Sequence, residues 1–444
     1  MGLLDKNKLL IVENRTIAIL RKQGINMKLS LLFVNVLMCA STVSLAESSI
    51  DDAVTPSIWA TTIIKAVDQL PAIKASEAEI DASAFSQEAA SKPLYNPELS
   101  VGYDNAEDNE YGVELSQTID WSGKRRASSE TADALKQVTK LQHNALRVDL
   151  LASAIQALNA QSAASQIERI ANQQVRLLRQ LLQVVDRRLQ TGDMGLLDAE
   201  LARLSLSEAI HEAAEAENEY RSAQGEVEAA LGKPFLFPNP SFDFSLIGYQ
   251  PFSNEFILSL PAVRVAYSEF QATKKSIQIA KAESRADPTI GLGAGKEGDQ
   301  TIIGLTFSLP LHLRNNYRSE VDIASADALA AEQRFLEKRR LALVGLKTTS
   351  EQYHHLYNRW ISWKKLTGGH FQKSKTLLNQ LWESGDIDTA DYVFGLQQRM
   401  QALHAGIAFE RDLFDAWVSW LKASGQIESW LQDMSADKTV AAVK

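Results

Sequence analysis

Gly293, Gly295 and Gly298 stand in a G-x-G-x-x-G spacing, the pattern that cradles a dinucleotide pyrophosphate. That chemistry requires a helix directly after the glycines, because its first amides hold the phosphate. Here T-I-I-G-L-T-F-S-L follows at 301–309, a β-branched, alternating run that reads as a strand. Gly295-Lys296 lacks the Ser/Thr and the upstream Gly of a phosphate loop. The seven histidines (143, 211, 312, 354, 355, 370, 404) include no i, i+4 pair, so no helix face offers a metal two imidazoles. Cys39 is the only cysteine and supplies neither a disulfide nor a zinc quartet. No cofactor, no metal site and no enzyme activity is expected. The remaining groups of chemical interest are carboxylates beside two Gly-Asp turns: Asp193 and Asp198 near Gly192, and Asp386 and Asp391 near Gly385.

Met27-Lys28, the apolar run 29–38 and Ser44-Leu45-Ala46 have the form of a secretory signal peptide over 27–46. Residues 1–26 are then an upstream extension of the gene model. Cys39 falls inside the apolar run behind Met38, not behind the small residue that a lipid anchor needs. Residues 1–46 carry six Lys/Arg and two Asp/Glu, so their loss takes the formal net charge from −9 to −13. That balance disfavours nucleic acid as a partner. No apolar run approaches the ~20 residues of a membrane helix.

The elements that position the turns come from periodicity. Leu99, Val101 and Tyr103 alternate with Ser100, Gly102 and Asp104; Tyr111, Val113, Leu115 and Ile119 alternate with Gly112, Glu114, Ser116 and Thr118. Period-two runs around a short acidic break predict a hairpin over 97–121. From Gly123 to Gln190 there is neither Pro nor internal Gly, which predicts one helix over 123–190. Leu178, Leu182, Val185 and Leu189 form a 4-3-4 seam. A return helix over 196–231 carries Leu197, Leu201 and Leu204 and stops at Gly232.

The pattern then repeats. Pro71, Pro97, Gly112, Gly192 and Gly232 recur as Pro261, Pro288, Gly304, Gly385 and Gly425, at offsets of 190, 191, 192, 193 and 193. Five ordered landmarks with so little drift indicate an internal duplication. The expected organisation is a short irregular N-terminal segment (47–70), repeat 1 (71–232), a Pro-rich linker (233–260), repeat 2 (261–430) and a tail (431–444). Repeat 2 holds a hairpin (288–312), a long helix (318–383) and a return helix (388–424) with Leu396, Met400, Leu403 and Ile407 on its seam. The fold class is mainly α with a small β part. Both hairpins are apolar on one face and small or polar on the other, as membrane barrel strands are. Open edges cannot face lipid, and four strands are too few to close. Several copies must therefore pool hairpins into one barrel.

This combination resembles the TolC-like outer-membrane efflux proteins over about 60–430. The resemblance is carried by N-P-E-L-S-V-G (96–102), V-E-L-S-Q-T-I-D-W-S-G-K-R-R-A (113–127), the second hairpin and R-L-Q-T-G-D-M-G-L-L-D (188–198). The hairpin motifs are most similar to the branch serving heavy-metal exporters, of the cobalt–zinc–cadmium type. The resemblance implies a homotrimer with a shared 12-stranded β-barrel in the outer membrane of a Gram-negative cell and an α-barrel across the periplasm. It also implies that the helix turns meet a periplasmic adaptor and an inner-membrane pump in a tripartite resistance-nodulation-division system. Arg188, Leu189, Gly192 and Asp193 match the adaptor-contact turn, with Gly195 where a Ser is common; Gly385 marks the second turn, which departs further. Asp391, Asp198 and Asp386 become candidates for a periplasmic gate, since carboxylates ringed by three-fold symmetry favour cations. The plainer reading of Asp198 and Asp391 is stabilisation of a helix N-terminus. Trp121, Lys124, Arg125 and Arg126 are candidate anchors at the membrane interface. Trp360/Trp363 and Trp417/Trp420 are expected to meet side by side in a helical core. The competing class is a periplasmic or surface coiled-coil scaffold, or an adhesin, without a pore; it leaves the apolar hairpin faces unexplained.

Overall fold

The computed structural model describes residues 56–105, 109–235 and 252–436, all within a unit spanning Thr55–Lys444. The expected upstream extension and signal peptide lie outside the described residues, as do most of the Pro-rich linker and the end of the tail.

In chain order the elements are α1 (Pro56–Asp68), α2 (Pro71–Ser91), β1 (Glu98–Asn105), β2 (Asn109–Thr118), α3 (Lys124–Thr191) and α4 (Leu196–Leu231), then α5 (Asn254–Ser259), α6 (Pro261–Glu283), β3 (Thr289–Glu297), β4 (Gln300–Ser308), α7 (Arg318–Thr367), α8 (His370–Ser384), α9 (Thr389–Ser424) and α10 (Ile427–Ala436). Helix α3 runs 68 residues, about 100 Å at 1.5 Å per residue. A helix of that length is stable only with partners along it. It packs on α4 towards its C-terminal end and on α2, α6 and α9 elsewhere. Gly192, Gly232, Gly385 and Gly425 all end helices at φ between 71° and 81°, the left-handed conformation that glycine adopts without a Cβ penalty.

Four expectations need correction. The segment 47–70 is not irregular where described: α1 buries Trp59, Ala60, Ile63 and Val67, and Trp59 meets Trp430 of α10 edge-on at 6.3 Å. Arg147 of α3 ties both short helices down, through Asp68 at 2.8 Å and Glu428 at 2.6 Å. The long helix expected over 318–383 is two helices. Gly368 closes α7 onto the Lys364 carbonyl, and Gly369, at φ 76°, opens α8. The matching stretch of α3 has no glycine and continues unbroken.

The seam of α4 is also not its leucines. Ala199, Ala202, Ala209, Ala213 and Ala216 are buried, whereas Leu197 and Leu204 are 72% and 66% exposed. Alanines allow α4 to approach α3 closely, which turns the bulkier leucine face outward. Finally, the tryptophan pairs do not meet. Antiparallel helices align positions equidistant from their turn, so Trp363 lies over Gly406, where a Cβ would collide with its ring. Trp417 meets Tyr353 at 5.1 Å and stacks on Trp420 at 5.2 Å.

The sheet is four antiparallel strands in the order β1-β2-β3-β4. Its central pairing joins the two hairpins, with Thr118 opposite Thr289, Glu114 opposite Gly293 and Gly112 opposite Gly295. Packing of the apolar positions against one another across the strands sets this register.

Candidate functional site: the open sheet, its junction and the helix tips

One face of the sheet is apolar and bare. Leu99, Val101, Tyr103, Val113, Leu115, Leu292, Ile303, Leu305 and Phe307 are all exposed, from 51% to 78%. The opposite face is concave and carries Ser100, Gly102, Asp104, Gly112, Glu114, Gly293, Gly295, Gly304 and Thr306 around a cavity of about 580 Å³. Two β3 glycines have a steric purpose. A Cβ on Gly291 would overlap the Glu114 carboxylate, and one on Gly295 would press on the Tyr111 carbonyl. Gly291 thus makes room for a charged side chain from the neighbouring strand, and Gly295 for that strand's backbone.

At the base of the sheet lies a cluster that the sequence patterns did not reveal. Asp287, 4% exposed, accepts an ion pair from Lys124 Nζ at 2.9 Å, a hydrogen bond from Tyr95 Oη at 3.0 Å and one from the Ser122 amide at 3.1 Å. Burial alone would raise its carboxyl, but the Lys124, Ser122 and Tyr95 hydrogen bonds outweigh it and hold the group below its ordinary value. Lys124 is held above its ordinary value: burial opposes this, and the Asp287 hydrogen bond and charge prevail. Lys124 is therefore not a free headgroup anchor, because its ammonium is turned inward. Its neighbour Asp120 accepts from the Lys124 and Arg125 amides at 2.8 and 2.9 Å, satisfying the open start of α3. Arg125 and Arg126 remain exposed. Trp121 is exposed while its indole donates to the Ala286 carbonyl at 2.7 Å. The signal available in the sequence was Asp287-Pro288 standing where repeat 1 has Asn96-Pro97.

At the far end the two turns are built alike. In the first, the Asp193 amide closes on the Arg188 carbonyl at 2.9 Å, and Asp193 accepts from Thr191 Oγ1 at 2.8 Å. In the second, the Asp386 amide closes on the Leu381 carbonyl at 2.9 Å, and Asp386 accepts from Ser384 Oγ at 2.6 Å. The helices that follow start differently: Gly195 gives α4 no side-chain cap, whereas Asp388 caps α9 by accepting from the Asp391 amide at 2.7 Å. Asp198 and Asp391 both lie in a first turn, where the helix dipole favours a carboxylate. Asp391 is exposed and Asp198 half-buried.

The tips are also joined. Arg188 lies over the Trp382 ring at 5.1 Å, and Trp382 stacks on Tyr392 at 5.0 Å. Leu189 packs against the core formed by Leu178, Leu181, Val185, Ala199, Tyr392 and Leu396. Two residues expected to meet an adaptor thus also hold the first turn to the second. Among the described residues no group of three or more His, Cys, Asp or Glu could hold a metal, and no helix is long and apolar enough to cross a membrane.

A sheet with one bare apolar face and one small polar face, joined to very long paired helices, is an arrangement that known proteins share. Residues 63–233 match the family model described as Outer membrane efflux protein. The whole fold is shared with solved channels: CusC (15% identity, TM-score 0.69, covering 82% of this chain and 91% of that one), CmeC of Campylobacter jejuni (14%, 0.68, 87% and 93%) and VceC of Vibrio cholerae (14%, 0.65, 83% and 96%). No curated protein sequence matches the chain. The chain is thus similar to the outer membrane efflux proteins over residues 63–233 and has the fold of these solved channels.

Proposed function

We propose that the chain is the exit duct of a tripartite resistance-nodulation-division efflux system. Three copies form one 12-stranded barrel, and their helices form an α-barrel across the periplasm. Substrate passes through without chemistry, delivered by an inner-membrane pump through an adaptor docked on the Gly192 and Gly385 turns. The observation that carries this reading is the exposed apolar face of the sheet, which only lipid or a second apolar surface can cover, above helices too long to pack alone. The outward leucines of α4, Leu197 and Leu204, supply a matching apolar surface between copies.

Heat-resistant trimers in outer-membrane fractions and ion conduction in planar bilayers are expected. A soluble periplasmic monomer would overturn the duct in favour of a scaffold. The hairpin motifs supported the heavy-metal branch, and heavy-metal cations are the proposed cargo. Cells lacking the chain are expected to lose tolerance to zinc, cobalt or cadmium. Unchanged metal tolerance with loss of another export would remove the metal and keep the duct.

A further inference from the structure

We infer that β4 of one copy pairs antiparallel with β1 of the next in a single register: Ser308 opposite Ser100, Phe307 opposite Val101, Thr306 opposite Gly102 and Leu305 opposite Tyr103. The inference rests on the shared-barrel reading, and its basis is the duplication. Within one chain, β2 of repeat 1 pairs with β3 of repeat 2, placing Ser116 opposite Gly291, Leu115 opposite Leu292, Glu114 opposite Gly293 and Val113 opposite Ala294. Carrying β2 onto β4 by the Gly112–Gly304 offset of 192, and β3 back onto β1 by the Pro97–Pro288 offset of 191, converts each of these pairs into the one named above. If repeats are joined within a chain by one geometry, the same geometry joins them between chains and closes the ring.

Two independent features of the strands agree. The side-chain faces match, because Leu305 and Phe307 meet Tyr103 and Val101 on the apolar side while Thr306 and Ser308 meet Gly102 and Ser100 on the inner side. A one-residue slip would set apolar against polar along the whole seam. The second feature is glycine placement. In the internal seam the bulky Glu114 lies opposite Gly293 and beside Gly291, where a Cβ would overlap its carboxylate. In the inferred seam Thr306, the largest inner-face residue of its trio with Gly304 and Ser308, falls opposite Gly102. Gly102 has open space where a Cβ would stand, and its φ is not positive. Neither its backbone nor the described residues of its own chain require a glycine there, and the open space suits a Thr306 from the next copy. A slip of two residues would set Thr306 against Ser100 or Asp104 and forfeit this fit.

The test is disulfide trapping in the full chain with Cys39→Ala. Directly opposed residues lie within the ~7 Å Cα reach of a disulfide and diagonal ones largely beyond it. Ser100→Cys with Ser308→Cys is expected to give reductant-sensitive dimers and trimers, severalfold more than Gly102→Cys with Ser308→Cys. The internal pair Thr118→Cys with Thr289→Cys, whose native hydroxyls are 2.8 Å apart, reports that the sheet has folded. Preferential linking of the offset pair would overturn the register while leaving the barrel in place. Internal linking without any inter-copy link would overturn the register, and absence of trimers by native mass in the same sample would overturn the barrel reading with it.

Discussion

Replacing Asp287 with Ala removes one acceptor and strands three donors: the Lys124 ammonium, the Ser122 amide and the Tyr95 hydroxyl. Asp287's side chain is 2% exposed and Lys124's 19%, so the ammonium left behind is only partly rescued by water. Breaking a buried ion pair by deleting one partner costs about 3–5 kcal/mol; the partial exposure of Lys124 places this one near the low end, about 3 kcal/mol. Asp287→Leu combined with Lys124→Met leaves no stranded charge. The double variant should be less destabilised than the sum of its single changes, with a coupling of at least ~1 kcal/mol. Denaturation of the protein in lipid vesicles, followed by the fluorescence of Trp121 beside the cluster, measures each corner of the cycle. The sign of the pH dependence follows from the shifts. Asp287's folded value lies below 3.8, so its contribution is full above the unfolded carboxylate value and is lost as pH falls through the folded one. Lys124's folded value lies above 10.5, so its contribution is full below the unfolded value and is lost only as pH rises through the folded one. The junction is therefore firm from mild acid to mild base and loosens below about pH 4. Additive single changes, or an Asp287→Ala protein within ~0.5 kcal/mol of the parent, would refute the reasoning.

Further outcomes concern the other end of the chain. Gly385→Ala forces a Cβ into a left-handed position at φ 81° and should destabilise the second turn by about 1–2 kcal/mol, seen as faster proteolytic nicking there. Trp382→Ala removes the ring under Arg188 and should free the first turn from the second; hydrogen exchange near 188–193 should rise, and unchanged protection would show that the stack holds nothing. Asp391→Asn should weaken block of the pore by multivalent cations, and unchanged block would remove the proposed carboxylate ring. Gly406→Ala drives a methyl into the Trp363 ring, costing about 1–3 kcal/mol by overpacking and visible as a lowered unfolding midpoint.

The periodicities were sufficient for most of the architecture. Period-two alternation at Leu99–Tyr103 and Tyr111–Leu115 depends only on neighbouring residues, and so do the glycine stops at Gly192, Gly232, Gly385 and Gly425; all are legible along the chain. The five landmarks of the duplication are legible for the same reason, since they need only a comparison of the chain with itself. The acidic turns were also visible. Their carboxylates were singled out by spacing alone, and the structure adds that Asp193 and Asp386 are engaged by their own turn hydroxyls.

What tertiary structure decided was which of two plausible faces a residue turns inward, and which distant groups meet. Leu197, Leu201 and Leu204 have a heptad spacing, yet the alanine stripe of α4 wins the interior, because close approach to α3 requires small side chains. Lys124 looks like a headgroup anchor until Asp287, 163 residues away, arrives beside it through the β2–β3 pairing. Arg188 and Trp382 belong to different repeats, and only the packing of the two helical hairpins brings them together. Local sequence thus determined the strands, the helices and their turns, because those follow from backbone geometry and nearest neighbours. The ion pair under the sheet and the stack at the tips arise from contacts between repeats, whose partners no local pattern specifies.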